Sequence, residues 1–175
     1  MSTVIDGSAS VTINSGAVLG ITSGTAVAST SGTSIDFTGL PSWVKRITVM
    51  FSGVSGNGSS SILVQLGTGS TTYTTSGYTA TGSFTDTATN LVTSTAGFPI
   101  FQNSAGSAFS GTMTITNITG NTWIENHTGA NATGGYSNYG GGTVALGALL
   151  TAVRITRVNG TDTFDAGSIN ILYEG

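Results

Sequence analysis

The sequence predicts an all-β fold, an antiparallel sandwich or a jelly roll, and three observations carry that prediction. Apolar and polar residues alternate in many short runs, which is the pattern of strands with one buried face. Gly, Asn and Ser interrupt these runs frequently, and Gly alone accounts for 27 of the 175 residues. Apolar spacing of 3.6 residues, which would indicate a helix, is limited to one possible turn in residues 145–152.

The strongest strand candidate is Val44–Phe51. Successive side chains of a strand point to opposite faces, so Ile47, Val49 and Phe51 share a mostly apolar face. The other face is mixed and carries Arg46, as expected of a surface that meets water or a neighbouring subunit. We therefore expect this strand to be the spine of the sandwich.

The remaining elements follow from the same patterns. Residues 1–32 are predicted to form an N-terminal docking arm or edge strands, and residues 33–175 the folded β-sandwich domain. Residues 67–97 predict one or two weak strands and a long loop, and Gly129–Gly142 predicts a glycine-rich loop. Further strands are predicted at Ile35–Phe37, Ile62–Leu66, Gly111–Ile118 with Thr122–Glu125 as a hairpin, Leu149–Val158 and Ser168–Tyr173.

The charge content excludes several classes of function. Lys, Arg, Asp and Glu make up 6% of the residues, whereas an average soluble domain has ~25%. Net charge is −3 without a basic block, which argues against nucleic-acid binding, and no apolar run predicts membrane insertion or a signal peptide. Cysteine is absent, which excludes disulfides and thiolate metal sites. A lone chain with so little charge and so little apolar content would be poorly stabilised. We therefore expect a homo-oligomer, which buries further surface between subunits.

A catalytic site is not predicted. His127 is the only histidine, and its neighbours Asn126 and Thr128 indicate a solvated loop rather than a nucleophile–base arrangement. The carboxylates are scattered, and turn or capping roles account for Asp162 and Asp165. A calcium site at that turn is conceivable, but the EF-hand ligand pattern is missing. We therefore expect no enzyme activity, no metal and no cofactor.

The Gly129–Gly142 loop is the best candidate for ligand recognition. Glycines leave backbone N–H and C=O groups accessible, and Tyr136, Tyr139 and nearby Trp123 offer flat amphipathic faces. Stacking combined with neutral hydrogen bonding is the chemistry of sugar binding. The alternative is a flexible turn whose tyrosines pack back onto the domain.

Three arginines, Arg46, Arg154 and Arg157, lie within strong strand candidates, where an unpaired buried charge is costly. In the strand around Arg154, alternation places Arg157 on the same face as Val153 and Ile155. An ordinary solvated sheet face explains these arginines. The alternative is an intersubunit network in which Arg46 or Arg154 meets Asp162, Asp165 or Glu174.

Two segments resemble a known family. Thr33–Phe51 reads TSIDFTGLPSWVKRITVMF, and Val158–Glu174 reads VNGTDTFDAGSINILYE after the strand Val153–Thr156. Both resemble segments of bacteriophage and prophage tail-fibre-like proteins. The resemblance implies a β-rich homotrimeric domain in the virion, made in the host cytoplasm, and it identifies no catalytic residues.

These observations together predict a virion structural protein that mediates attachment to the host surface by glycan recognition through exposed loops. Only a short arm precedes the domain, so we expect no long fibre shaft, and residues 1–32 are expected to dock onto other virion proteins. The first alternative is a capsid decoration or head-fibre protein that stabilises the shell by contact area. The second is a polysaccharide-degrading virion enzyme.

Overall fold

A computed structural model describes residues 20–85 and 90–175 in full, together with the backbone of residues 12–13, 16–17 and 89. Over these residues the chain forms 15 strands and no helix, so the fold is all-β as predicted. The strands are β1 (Thr12–Ile13), β2 (Gly16–Ala17), β3 (Thr22–Ser23), β4 (Val27–Ala28), β5 (Ser34–Thr38), β6 (Arg46–Gly56), β7 (Ile62–Gly67), β8 (Thr79–Thr85), β9 (Thr89–Ser94), β10 (Phe98–Ile100), β11 (Phe109–Thr119), β12 (Thr122–Asn131), β13 (Tyr136–Ala145), β14 (Ala152–Arg157) and β15 (Phe164–Glu174).

The strands form two antiparallel sheets that pack together as a sandwich. The large sheet has nine strands in the order β3–β15–β6–β11–β12–β13–β8–β9, and β4 also pairs with β15. The small sheet has the order β10–β7–β14–β5, and β1 pairs with β2 apart from both. The last two long strands, β14 and β15, therefore belong to opposite layers. The predicted antiparallel sandwich is confirmed.

Period-two alternation builds the core between the sheets. On β6, Ile47, Val49 and Phe51 are buried and their neighbours point outward, as the sequence predicted. On β14 of the small sheet, Val153 and Ile155 are fully buried in the same hydrophobic cluster. Apolar side chains from both layers thus fill the space between the sheets.

The predicted N-terminal arm, residues 1–32, is described in part. β3 and β4 pair with β15 at one edge of the large sheet, and the Ser29 hydroxyl donates to the Ala166 carbonyl at 2.8 Å. Residues 1–11, 14–15 and 18–19 of the arm lie outside the described residues. β3 and β4 of the arm therefore contribute edge strands to the large sheet, whereas, within the described residues, β1 and β2 pair only with each other.

The predicted Gly129–Gly142 loop is wrong, because most of this segment is strand. β12 continues to Asn131 and β13 begins at Tyr136, so only residues 132–135 form the connection. Glycine is required within these strands by close packing: a Cβ on Gly140 would lie 2.2 Å from His127 Cε1. Residues 146–151, within the possible helical turn of residues 145–152, are irregular. Residues 67–97, for which one or two weak strands were predicted, contain the two strands β8 and β9.

Candidate functional site

The outer face of the large sheet is broad and rich in hydroxyl groups. Antiparallel register aligns outward residues across β11, β12, β13 and β8, so that Thr112, Thr128 and Tyr139 form one cross-strand row. Neighbouring rows, at the spacing of alternate residues, add further hydroxyl groups and are interrupted by Ala130, Gly141 and Ile124. We call this surface the hydroxyl face, and it comprises Ser110, Thr112, Thr114, Thr116, Asn126, Thr128, Ser137, Tyr139, Thr143, Thr79, Thr81 and Thr85.

The chemistry of the hydroxyl face is neutral and stiff. Its side chains carry no formal charge, although soluble surfaces are typically ~25–35% charged. Threonine is branched at Cβ and has few rotamers, so its hydroxyl group loses little conformational entropy on binding. Tyr139 is the aromatic residue of the face, 44% exposed, and its hydroxyl lies 3.0 Å from Thr85 Oγ1. The face thus offers many oriented donors and acceptors around one aromatic ring.

Only one of the three predicted ligand-binding residues, Tyr139, lies on the hydroxyl face. Trp123 is 3% exposed and lies on the inner face, where its indole N–H has no partner within the described residues. Tyr136 is half-buried beside the turn of residues 132–135, with its ring centroid 4.5 Å from that of Phe84. Of the three, the structure places only Tyr139 on the exposed surface.

The predicted interface residues lie in three separate places. Arg46 pairs with Glu174 of the same chain, across β6 and β15 at a corner of the large sheet. The Arg154 side chain lies on the outer face of the small sheet, and Asp165 accepts a hydrogen bond from the Ser55 hydroxyl. Arg46 and Glu174 thus meet within one chain, and their role between subunits stays a prediction.

A groove of about 350 Å³ runs along the outer face of the small sheet. Register places Asp36, Arg154 and Gln65 side by side across β5, β14 and β7. Arg154 donates from Nε and Nη2 to the Asp36 carboxylate at 2.8 and 2.7 Å, and these hydrogen bonds raise the pKa of Arg154. Its Cζ lies 4.0 Å from the centre of the Tyr73 ring, and burial followed by the Asp36 charge raises the pKa of the Tyr73 phenol. The charge pair is therefore held rigidly at the groove.

His127 was predicted to be a solvated loop residue, and that prediction is wrong. It lies within β12, is 1% exposed, and its Nδ1 is 2.6 Å from Glu125 Oε1. His127 Nε2 and Glu125 Oε2 make no hydrogen bond within the described part of the chain. Because both side chains are sealed in the core, this pair reaches no substrate. Its contribution is to structure.

Sequence reasoning missed a buried arginine. Arg157 is 1% exposed, donates from Nη1 to the Ser60 carbonyl at 3.1 Å and also contacts the Gln102 side chain. Desolvation lowers its pKa, and its Cζ lies 4.8 Å from the centre of the Phe164 ring. The sequence did contain a signal for this burial, because alternation put Arg157 on the same face as Val153 and Ile155.

At the turn considered for calcium, the Asp162 carboxylate is hydrogen-bonded to other groups of the protein. Asp162 accepts hydrogen bonds from the Ser60 backbone N–H at 3.0 Å and from Asn159 Nδ2 at 2.8 Å. These hydrogen bonds, the Asn159 bond first, lower the pKa of Asp162. Within residues 20–85 and 90–175, no three His, Cys, Asp or Glu side chains converge on a metal-sized site.

Comparison with known proteins gives no family or relative that indicates a function for this chain. No protein-family model matches the chain, and no curated protein matches it. Among the described residues, no helix is long and apolar enough to span a membrane.

Proposed function

We propose that this chain is a bacteriophage virion structural protein, tail-fibre-like, that attaches the particle to neutral glycans on the host surface. The observation that supports this most is the uncharged hydroxyl face, which extends over four neighbouring strands and has Tyr139 exposed on it. The resemblance of Thr33–Phe51 and Val158–Glu174 to tail-fibre-like segments supplies the biological setting.

The hydroxyl face matches the chemistry of a neutral sugar polymer. Sugar hydroxyls both donate and accept, as threonine hydroxyls do, and the face has no side-chain charge that binding would have to desolvate. The Tyr139 ring provides an apolar plane for the C–H face of a sugar ring. Each contact is weak, so a homotrimer presenting three such faces would gain avidity from multivalency.

Glycan-array binding by the full-length protein tests this proposal. We expect binding to arrays of host surface polysaccharide, with strong loss in Tyr139→Ala and in Thr128→Asp, which places a charge on the face. Thr38→Asp is the matched control, because Thr38 is an exposed threonine on β5 of the other sheet. Equal loss in Thr38→Asp, or unchanged binding in Tyr139→Ala, would contradict the proposal, and release of oligosaccharide would show an enzyme instead.

Capsid decoration is the second candidate, and exposed apolar side chains on the same sheet surface favour it. Leu91 is 57% exposed and Ile124 is 42% exposed, and uncharged surfaces with apolar patches are also typical of protein interfaces. Particles lacking this protein would then lose heat resistance, while the purified protein would bind no glycan. Sedimentation of the purified protein measures whether it is the expected trimer in either case.

A further inference from the structure

We infer that the groove on the outer face of the small sheet binds a single neutral sugar residue. This second site lies on the opposite side of the sandwich from the hydroxyl face. Its biological meaning rests on the proposed function, but its occupancy can be measured independently. We call this surface the small-sheet groove, and its lining used in the argument is Ser34, Gln65, Ala96, Arg154 and Thr156.

The groove contains a rigid hydrogen-bond donor, the guanidinium of Arg154. A guanidinium has five N–H groups, and the Asp36 carboxylate accepts from Nε and Nη2 of Arg154. Nη1 makes no hydrogen bond within the described residues, so its N–H groups are available to a ligand. The bidentate pair and the Tyr73 ring fix the position of these donors. Binding therefore costs little side-chain entropy at Arg154.

A hydrogen-bond acceptor lies next to that donor. Gln65 stands directly opposite Arg154 on β7 and is only 8% exposed. Its Nε2 donates to the Ala96 carbonyl at 3.0 Å, which orients the amide and leaves Oε1 without a partner in the described chain. Oε1 is not sealed from solvent, and Gln65 lines the groove. A fixed acceptor thus adjoins a fixed donor.

The adjacent donor and acceptor determine the class of ligand. A ligand with adjacent donors and acceptors, such as a sugar carrying vicinal hydroxyl or acetamido groups, satisfies both positions. Asp36 already balances the charge of Arg154, and Arg157, the other cation of the lining, is only 1% exposed. The net charge of the chain is −3, so an anionic ligand gains little. The volume of about 350 Å³ is near the lower end of the ~300–1,000 Å³ of small-ligand sites. One sugar residue fits that space better than a longer oligosaccharide.

Titration of the ¹⁵N-labelled full-length protein with glucose, galactose, mannose and N-acetylglucosamine, each alone, tests the inference by NMR. We expect at least one sugar to shift the amide signals of Ser34, Thr156 and the Gln65 side chain in a saturable manner. Gln65→Leu, which removes the acceptor, should weaken that binding by about tenfold, the effect of one hydrogen bond of ~1.4 kcal/mol. Ser34→Tyr should block the groove while leaving Arg154 and Gln65 in place.

Control variants separate this site from the hydroxyl face. Thr38→Ala lies on the same strand as Ser34 outside the groove lining and should leave the titration unchanged. Tyr139→Ala should strongly weaken array binding yet leave the groove shifts intact, which would support both sites. Array binding without groove shifts would overturn only this inference. Tighter binding of glucuronate than of glucose would overturn the neutral class, and loss of the groove shifts in Tyr139→Ala would overturn the separate site.

Discussion

The inner face of the large sheet has two halves that are stabilised differently. On β15, β6 and β11 it is apolar, and these side chains interlock with those of the small sheet. On β12, β13 and β8 it also holds apolar side chains, among them Trp123 and Val144, but these are interrupted by glycines and by the buried polar residues His127 and Glu125. One cross-strand row shows the change, because register aligns Ile171, Val49, Met113, His127, Gly140 and Gly82 in that order.

The two halves fill the same interlayer space by different means. In the apolar half, side chains of both layers occupy the space. In the glycine half, backbone approaches closely: a Cβ on Gly82 would lie 2.2 Å from the Pro99 carbonyl oxygen of β10. The apolar half should therefore be sensitive to losing side-chain volume, and the glycine half to gaining it.

Removal of a large side chain from the apolar half should have the largest effect. Phe51 is 4% exposed and its ring centroid lies 5.4 Å from that of Phe109, edge to face. Phe51→Ala should lower the free energy of unfolding by about 4 kcal/mol, through lost burial and the cavity left behind. Urea denaturation measures this, and Met50→Ala on the outer face is the control, expected to cost much less. Equal costs would contradict the assignment of faces.

Adding one methyl group to the glycine half should cost about 3 kcal/mol. In Gly140→Ala the new Cβ would meet His127 Cε1 at 2.2 Å and the Thr81 carbonyl oxygen at 2.4 Å. The control is its neighbour Gly141→Ala, whose Cβ points to the outer face and comes no closer than 3.2 Å to the Glu125 carbonyl. Thermal melts should separate the two variants. Similar melting temperatures would mean that His127 moves aside freely.

The same two halves differ in how well their buried residues could be predicted from the sequence. Alternation in Val44–Phe51 gave the inner face of β6 correctly, because apolar residues at every second position report burial directly. β12 and β13 also alternate, but their inward positions hold His127, Glu125, Asn138 and glycines, which by type indicate solvent and turns. Two tertiary features make several of these residues suitable for a core: His127 and Glu125 pair with each other, and the backbone of neighbouring elements leaves no room for a Cβ at the glycines.

The candidate sites, too, could be predicted from the sequence only in part. Tyr139 could be predicted as an exposed aromatic residue, but Tyr136 could not be assigned to a face while Gly129–Gly142 was taken for a loop. Trp123 lay in the predicted strand Thr122–Glu125, but it was assigned to the ligand site because of its proximity to that loop in the sequence. The row of Asp36, Arg154 and Gln65 joins three strands that are distant in sequence. Short-range patterns contain no register between such strands, so the small-sheet groove was not predictable.

Tyr78, which precedes β8 at the margin of the glycine half, should produce a fall in stability at high pH. Burial raises its pKa from 10.0 to about 12, and its hydroxyl accepts from the Leu66 backbone N–H at 2.8 Å. Because the folded state favours the neutral phenol, this contribution is full below pH 10 and is lost as pH rises to about 12. The loss is about 2.5 kcal/mol. Urea denaturation at several pH values measures it.

The control for that titration is Tyr78→Phe. It removes the hydrogen bond to Leu66 and should cost about 1 kcal/mol at neutral pH. Its stability should then lack the additional fall between pH 10 and 12 that the unaltered protein shows. An identical pH dependence in both proteins would show that the buried phenol is not responsible.

The smallest effect should come from replacing the buried Glu125 carboxylate in the glycine half by an amide. Glu125→Gln keeps the shape of the side chain and an oxygen that can accept from His127 Nδ1–H, which is 2.6 Å from Glu125 Oε1 in the structure. The amide oxygen keeps this hydrogen bond, and an amide costs less to bury than a carboxylate, so the free energy of unfolding should change by less than about 1 kcal/mol. Glu125→Ala is the contrast, since it leaves the histidine N–H without an acceptor and opens a cavity, at about 3 kcal/mol. If Glu125→Gln costs as much as Glu125→Ala in urea denaturation, the pair stabilises the sheet as an ion pair rather than by shape and hydrogen bonding, and the glycine half depends on charge after all.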